Sequence, residues 1–265
     1  MSVGAKERPE LSRAHVAEQL RTLGVREGGV LVVHTSFRAV RPVEGGPLGL
    51  IAALRDALGP EGTLVLPSGS GNDDEPFDPR TTPVREDLGI LAELFWRQPG
   101  VLRSNQFDGF AAIGPRAAEI VSAPLMLPPS APGSPISVVH ELDGQVLLLG
   151  VGHDSNTMLH LAELMGGAPY RVPHHYTVIE NGRPVRIDYL ENDHCCAEFA
   201  KMDTWLRAAG LQAEGLVGHA QSRLARAQDV VRIAIEHLAR DPLLFLHPAE
   251  AGCEECDAAR ASVGG

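Results

Sequence analysis

Three apolar runs, each opened by glycine, constrain the fold of this chain more than any other feature: "GVLVVHTS" (29–36), "GTLVLPSGS" (62–70) and "GQVLLLGVG" (144–152). Runs this uniformly apolar have no face to offer water, which suits strands covered on both sides, the usual state of a parallel sheet. Helical spacing fills the intervals. "LSRAHVAEQLRTLG" places Val16, Leu20 and Leu23 on one face behind Ser12 as N-cap, and "PLGLIAALRDALG" (47–59) and "DLGILAELFWRQ" (87–98) repeat the pattern. "SRLARAQDVVRIAIEHLARD" (222–241) predicts a long C-terminal helix. Strand and helix in alternation predict an α/β fold: a single layered domain over 1–265, with a central mostly parallel sheet flanked by helices. Two stretches stand outside that pattern. Residues 67–87 form a long loop rich in Pro, Gly and acid, and "HYTVIENGRPVRIDYL" (175–190) reads as a hairpin turning at Asn181-Gly182.

Charge narrows the functional classes. Acidic residues outnumber basic ones 34 to 23, a net charge of -11, which repels phosphate backbones and attracts small polyamine-like cations. The opening "MSVGAKERPELSRAHVAEQL" lacks the apolar core of a signal peptide, and no apolar run approaches the roughly 18 residues of a membrane span. A cytoplasmic protein without membrane or nucleic-acid partners is the expectation. The glycine-rich "GSGN" and "GVGHDSN" match neither G-x-x-x-x-G-K-[ST] nor a full G-x-G-x-x-G, so nucleotide hydrolysis has no support.

One segment carries polar chemistry into an apolar helix. "QVLLLGVGHDSNTMLHLAELMGG" reads as strand, turn, helix and stop, with Ser155 or Asn156 as cap and Gly166-Gly167 as terminator. Thr157, His160 and Glu163 share one side of that helix at spacings of three, near the strand's carboxyl end, where α/β sheets bind ligands. His160 is therefore either a catalytic base or a core histidine bonded to a backbone carbonyl.

The four cysteines fall in two clusters, "DHCC" and "CEEC". Cys253 and Cys256 form a C-x-x-C pair, half of a structural zinc site, and Cys195 and Cys196 are the candidates to close it. Two adjacent ligands on one metal is a strained arrangement, so His247 or His194 are alternatives. Four free buried thiols is the competing reading.

Several long and unusual motifs carry a family resemblance: "VLVVHTSFRAVRPVEGGPLGLIAALRDALGPEGTLVLPS", "DDEPFDP", "HELDGQVLLLGVGHDSNT", "NTMLHLAELM", "IDYLENDHCC" and "DPLLFLHPAEAGCEECDAAR". The chain resembles the aminoglycoside 3-N-acetyltransferases, the antibiotic N-acetyltransferase family, whose fold differs from that of the GCN5-like acetyltransferases. "DHCC" and "GCEEC" are similar to the apramycin- and gentamicin-modifying type IV branch. The resemblance implies transfer of the acetyl group of acetyl-CoA to the 3-amino group of 2-deoxystreptamine, conferring antibiotic resistance.

Such a transfer needs a base, because an alkylamine with a pKa of about 8 is mostly protonated at neutral pH. His160 fits that role, supported by a carboxylate that fixes its tautomer. The resemblance points to the "YLEND" segment for this acid and so to Glu191 or Asp193. Glu163 is the local competitor, and Glu191 is favoured because i and i+3 side chains lie side by side without having to aim at one another. For a cationic aminocyclitol the acidic rim comprises Asp73, Asp74, Glu75 and Asp78 with Asp193, and the resemblance in "DDEPFDP" raises Asp73 above the rest. For CoA the resemblance implies "HTSFR", hence Thr35, Ser36, Phe37 and Arg38, with Arg41 nearby and Ser134 from "GSPI". The chain departs from the family at Asn105, Gln106 and Phe107, where relatives carry His-Pro, and at Thr35, where they carry Ser. Two other readings compete: a zinc-dependent hydrolase of a small cationic substrate using "GHD", "HH" and "DHCC", and a zinc-stapled binding module. The hydrolase lacks H-E-x-x-H or another compact metal motif.

Overall fold

The computed structural model describes residues 8–264; residues 1–7, part of the segment read above as lacking a signal-peptide core, lie outside it. The first half comprises α1 (Arg13–Leu23), β1 (Val30–Thr35), α2 (Phe37–Val40), α3 (Gly46–Leu58), β2 (Thr63–Pro67) and α4 (Gly89–Phe95). Next come β3 (Leu102–Arg103), β4 (Phe110–Ile113), α5 (Ala117–Val121), α6 (Pro135–Glu141), β5 (Gln145–Leu149) and α7 (Met158–Met165). The remainder is β6 (Val172–Glu180), β7 (Arg183–Glu191), α8 (Lys201–Ala208), β8 (Gln212–Val217), β9 (Ala220–Arg226), α9 (Ala227–Leu238) and α10 (Glu254–Ala261).

Seven strands form one sheet in the order β3-β4-β2-β1-β5-β9-β8. The three apolar runs lie together at its centre as the parallel trio β2-β1-β5, and the shorter or more polar flanking strands pair antiparallel. Alternation along β1 and β5 divides the core. Leu31, Val33, Leu147 and Leu149 pack with residues of α1, α3 and α4, while Val30, Val32, Val146 and Leu148 pack with residues of α6, α7 and α9. α1 begins where Ser12 Oγ accepts from the His15 amide (3.2 Å) and stops at left-handed Gly24.

The long helix read over 222–241 is half correct: β9 takes its first residues and α9 begins at Ala227. "SRLAR" carries buried Ser222 and Leu224 at a spacing of two, and pairing with β5 outweighs the helix propensity of Ala, Leu and Arg. The hairpin stands apart as the two-stranded sheet β6–β7, and Asn181 (φ 50) and Gly182 (φ 76) both take the positive φ that a type I′ turn demands. Among the described residues no helix is long and apolar enough to cross a membrane.

Candidate active site

β1 and β5 end side by side, Thr35 paired with Leu149, and the chain leaves β5 through Gly150. A side chain there would sit 2.7 Å from the Ala39 Cβ at a φ of 73°, so glycine lets the strand exit close to α2. A single turn then leads into α7. Asn156 Oδ1 accepts the Met158 amide (3.2 Å), but the N-cap of α7 is Thr157 and not Ser155 or Asn156 as expected, so Asn156 supports the helix start from the position before it. Beyond the ends of β1 and β5 lies a cavity of about 250 Å³ whose lining includes His34, Thr35, Asp108, Asn156, His160 and Cys196. This is where a sheet of this kind offers a binding site.

Glu163 is the centre of the polar network. Its side chain is fully buried and accepts from His160 Nδ1 (3.1 Å), from His194 Nε2 (2.7 Å) and from the Tyr170 hydroxyl. The partner of His160 is thus Glu163, not Glu191 as expected from the sequence. Side chains three residues apart on a helix are neighbours and can meet, and here the buried carboxylate spans the rings of His160 and His194. Burial would raise the Glu163 pKa, but hydrogen bonds from His160 and His194 hold it below the ordinary value. For His160, burial works against the cation, yet the Cys196 sulfur and Glu163 outweigh it and raise the pKa well above 6.5. Because an ionised carboxylate only accepts, neutral His160 carries its proton on Nδ1 and turns the Nε2 lone pair toward Cys196 Sγ, 3.5 Å away. Phe199 packs edge-on against the ring at 5.2 Å and fixes its plane.

Glu191 belongs to a neighbouring acidic group. It accepts from the Tyr189 hydroxyl (3.0 Å), and burial together with Asp108 pushes its pKa up to about 7. Asp108, which the sequence reading missed, has no motif around it; only the chain path from β3 to β4 brings it to the cavity. The acidic rim is more dispersed than expected. Asp74 accepts from His175 Nε2 (2.9 Å), Asp193 lies 3.0 Å from His174 Nε2, and Asp78 is paired with Arg80. Asp73 is half-buried and Glu75 exposed.

On the cofactor side, Thr35 Oγ1 is buried without a protein partner and lines the cavity. Ser36 and Phe37 are half-buried at the start of α2, with the Ser36 amide already given to Leu149 O (3.0 Å), while Arg38 and Arg41 are exposed. Ser134 departs from expectation: fully buried, it caps α6 by accepting the Ser137 amide, so no ligand reaches its hydroxyl. At the family departure, Gln106 is buried and donates to Pro124 O (2.8 Å), and Phe107 stacks on Tyr176. His34, also unassigned by the sequence, shares the cavity with an unpartnered Nε2; burial, with His153 nearby, holds its pKa at about 3.

The cysteine set needs one correction. Cys195, Cys253 and Cys256 gather with His247, all four ligand atoms within 4.8 Å of one another, whereas Cys196 points to His160 instead. Adjacent residues diverge: Cys196 takes a left-handed φ of 59°, which turns its side chain away from that of Cys195. The hydrolase reading loses its ligands. His153 is satisfied by Gln212 and Asn156 and His175 by Asp74, while His174 Nε2 lies 3.0 Å from Asp193 without a hydrogen bond to it, so the three rings sit in separate places.

The chain is similar to known proteins over most of its length. A sequence profile of the family described as aminoglycoside 3-N-acetyltransferase matches residues 32–239. The chain is 62% identical over 243 residues, 92% of its length and 93% of the relative's, to aminoglycoside N(3)-acetyltransferase IV of Salmonella sp. It superposes with a TM-score of 0.96 on a His-to-Ala variant of aminoglycoside acetyltransferase AAC(3)-IVa in complex with a gentamicin, at 61% identity, covering 98% of this chain and 100% of that one. A more distant structure, AAC-IIIb with CoASH, aligns at a TM-score of 0.80 and 28% identity, covering 91% of this chain and 100% of the other. The chain belongs to the aminoglycoside 3-N-acetyltransferase family.

Proposed function

We propose that this protein transfers the acetyl group of acetyl-CoA directly to the 3-amino group of the 2-deoxystreptamine ring of aminoglycoside antibiotics, within a ternary complex, and so confers resistance to them. The observation that carries the reading is the imidazole of His160, lining a cavity at the strand ends with Nδ1 held by buried Glu163. The amine nitrogen attacks the thioester carbonyl carbon while His160 Nε2 takes its proton. The C–S bond then breaks, and the CoA sulfur leaves with that proton. General-base assistance of this kind contributes about 10²–10⁴-fold. Glu163 keeps the base in one tautomer and supports the imidazolium.

The unpartnered Thr35 hydroxyl is a donor for the oxyanion or thioester, and Ser36, Phe37 and Arg38 border the same strand end as the CoA side. Glu191 and Asp108, with Asp193, Asp73, Asp74 and Glu75 further out, receive the substrate's ammonium groups. Cysteines without disulfides and acetyl-CoA use both fit a reducing cytoplasm, and one domain suffices for the whole reaction.

Cys195, His247, Cys253 and Cys256 hold a structural zinc ion in this reading. The separations among Cys195, His247 and Cys256, 3.1 to 3.6 Å, approach the edges of about 3.5–3.8 Å that follow from Zn–N near 2.0 Å and Zn–S near 2.3 Å in a tetrahedron, and the Cys253 sulfur lies within 4.8 Å of all three. The ion would pin the C-terminal segment to the loop after β7.

The test is thiol release from acetyl-CoA with a panel of 2-deoxystreptamine drugs, gentamicin and apramycin included, followed by mass spectrometry of the product. One thiol per drug acetylated at N3 is expected. Thiol release independent of any aminoglycoside, or acetyl at another nitrogen, overturns the assignment.

A further inference from the structure

We infer a second metal site, distinct from the cluster of Cys195, His247, Cys253 and Cys256: Cys196 Sγ, His160 Nε2 and His194 Nδ1 bind a soft divalent cation such as Zn²⁺ at the mouth of the catalytic cavity, and the bound ion shuts off the base. Among the described residues, His160, His194 and Cys196 form the other group of potential ligands lying within 4.8 Å of one another. Glu163 sets the orientation of both rings. One of its oxygens accepts from His160 Nδ1 and the other from His194 Nε2, so each neutral imidazole is protonated on the atom facing the carboxylate. The remaining nitrogens both carry lone pairs. His194 Nδ1 uses its own to accept the Cys196 amide at 3.1 Å, a bond that has to open before that nitrogen can ligate.

A carboxylate behind a ligating histidine is the usual support of a metal site, and here one carboxylate supports two. The 3.5 Å between His160 Nε2 and Cys196 Sγ equals the edge of about 3.5 Å for one nitrogen and one sulfur on tetrahedral zinc. Cavity side and protein side divide cleanly: His194 is fully buried, while His160 and Cys196 line the cavity, leaving the fourth position open to a water or a substrate atom. On binding, the thiol proton and any proton on His160 Nε2 are released to solvent, the bond from the Cys196 amide to His194 Nδ1 opens, a sulfur–metal bond forms, and the Nε2 lone pair is committed to the metal. That nitrogen can no longer accept a proton from an amine, and the added charge repels a cationic substrate. The ligand set itself needs nothing from the acetyltransferase reading; only the loss of turnover rests on it.

The decisive measurement is metal stoichiometry of the intact protein, by equilibrium dialysis against Zn²⁺ with elemental analysis, beside the same titration with Co²⁺ read at its thiolate charge-transfer band. The wild type should take up one ion more than Cys196→Ala or Cys196→Ser, which bind that ion at least about tenfold more weakly. Cys253→Ser should keep it. In the acetyl-transfer assay, each variant compared with itself without added metal, Zn²⁺ should suppress the wild type and Cys253→Ser far more than either Cys196 variant. Equal stoichiometry in the wild type and both Cys196 variants overturns the site, as does equal suppression by Zn²⁺. Extra metal uptake by a wild type that acetylates nothing would instead leave the site standing and remove the acetyltransferase reading.

Discussion

His160 is legible in the sequence because a polar side chain on the helix "MLHLAELM" must find its partner inside the protein. Which partner it finds is not, since that depends on how far α7 is rotated against β5 and α9. Three acids stood within reach in the sequence, Glu163, Glu191 and Asp193, and the apolar packing of Leu159, Leu161 and Ala162 turns Glu163 inward beside the histidine. Two consequences can be measured. His160→Ala should lower kcat by about 10²–10⁴-fold with an unchanged circular dichroism spectrum, and near-wild-type kcat would remove the base assignment. Glu163→Gln should reduce kcat and also stability, by about 1–3 kcal/mol, because an amide cannot accept from His160, His194 and Tyr170 at once. Loss of activity without loss of stability would mean that the network is looser than its distances indicate. Glu191 provides a pH signature. With a pKa near 7 set by burial and by Asp108, and eased downward by His160, Tyr189 and His174, it is largely neutral at pH 6 and ionised at pH 8. The KM for the aminoglycoside should therefore fall between those values, and Glu191→Gln should flatten that part of the profile. An unaltered profile in the variant shows that another group receives the substrate's charge.

At the scale of elements, the three glycine-bounded runs are read correctly as the central strands because nothing but two-sided burial suits them. Flanking strands are harder. "SRLAR" carries both a period of two and a helical composition, and only the neighbouring edge of β5 decides between them. Ser134 shows the converse: a family-like "GSPI" turns out to be a helix cap, local chemistry that the sequence contains in full as Ser followed by Pro. The cysteine cluster joins elements distant in sequence. Cys195 follows β7 while Cys253 caps α10, and Arg171 donates its amide to Ser262 Oγ (2.8 Å) on the same side. If zinc ties these parts together, Cys253→Ser or chelation should lower the melting temperature. A loss of about 2 kcal/mol corresponds to about 4–8 °C in a domain of this size, while kcat at moderate temperature should change little. Melting of the metal-free protein at the wild-type temperature would remove the metal from the structure's support.

For the whole molecule, the net charge of -11 sets the surface, while buried imidazoles contribute to the response to acid. His34 sits on β1 at the position that faces the α7 side of the sheet, two residues after Val32, so the sheet itself carries it into the interior. There burial holds its pKa at about 3, and burial likewise lowers that of His153 below the ordinary value, although Gln212 and Asp203 work in the other direction. Both rings are neutral in the folded chain over a range in which the unfolded chain binds protons. Their contribution is thus intact above pH 6.5 and is lost progressively as the pH falls from there toward 3. Glu191 acts with the opposite sign: its raised pKa lets the folded state keep a proton that the unfolded chain releases, so its contribution declines as the pH rises from about 4.5 to 7. The two effects oppose each other between pH 5 and 7 and can be separated by substitution. His34→Gln, which cannot titrate, should give a melting temperature that drops less between pH 7 and pH 5 than that of the wild type, whereas Glu191→Gln should give a steeper drop. The physical cause in each case is one group whose charge the interior disfavours. Parallel melting-temperature profiles for His34→Gln and the wild type would mean that the β1 imidazole takes up its proton without cost, and that the acid response originates in partly buried ion pairs such as Arg223–Asp203 instead.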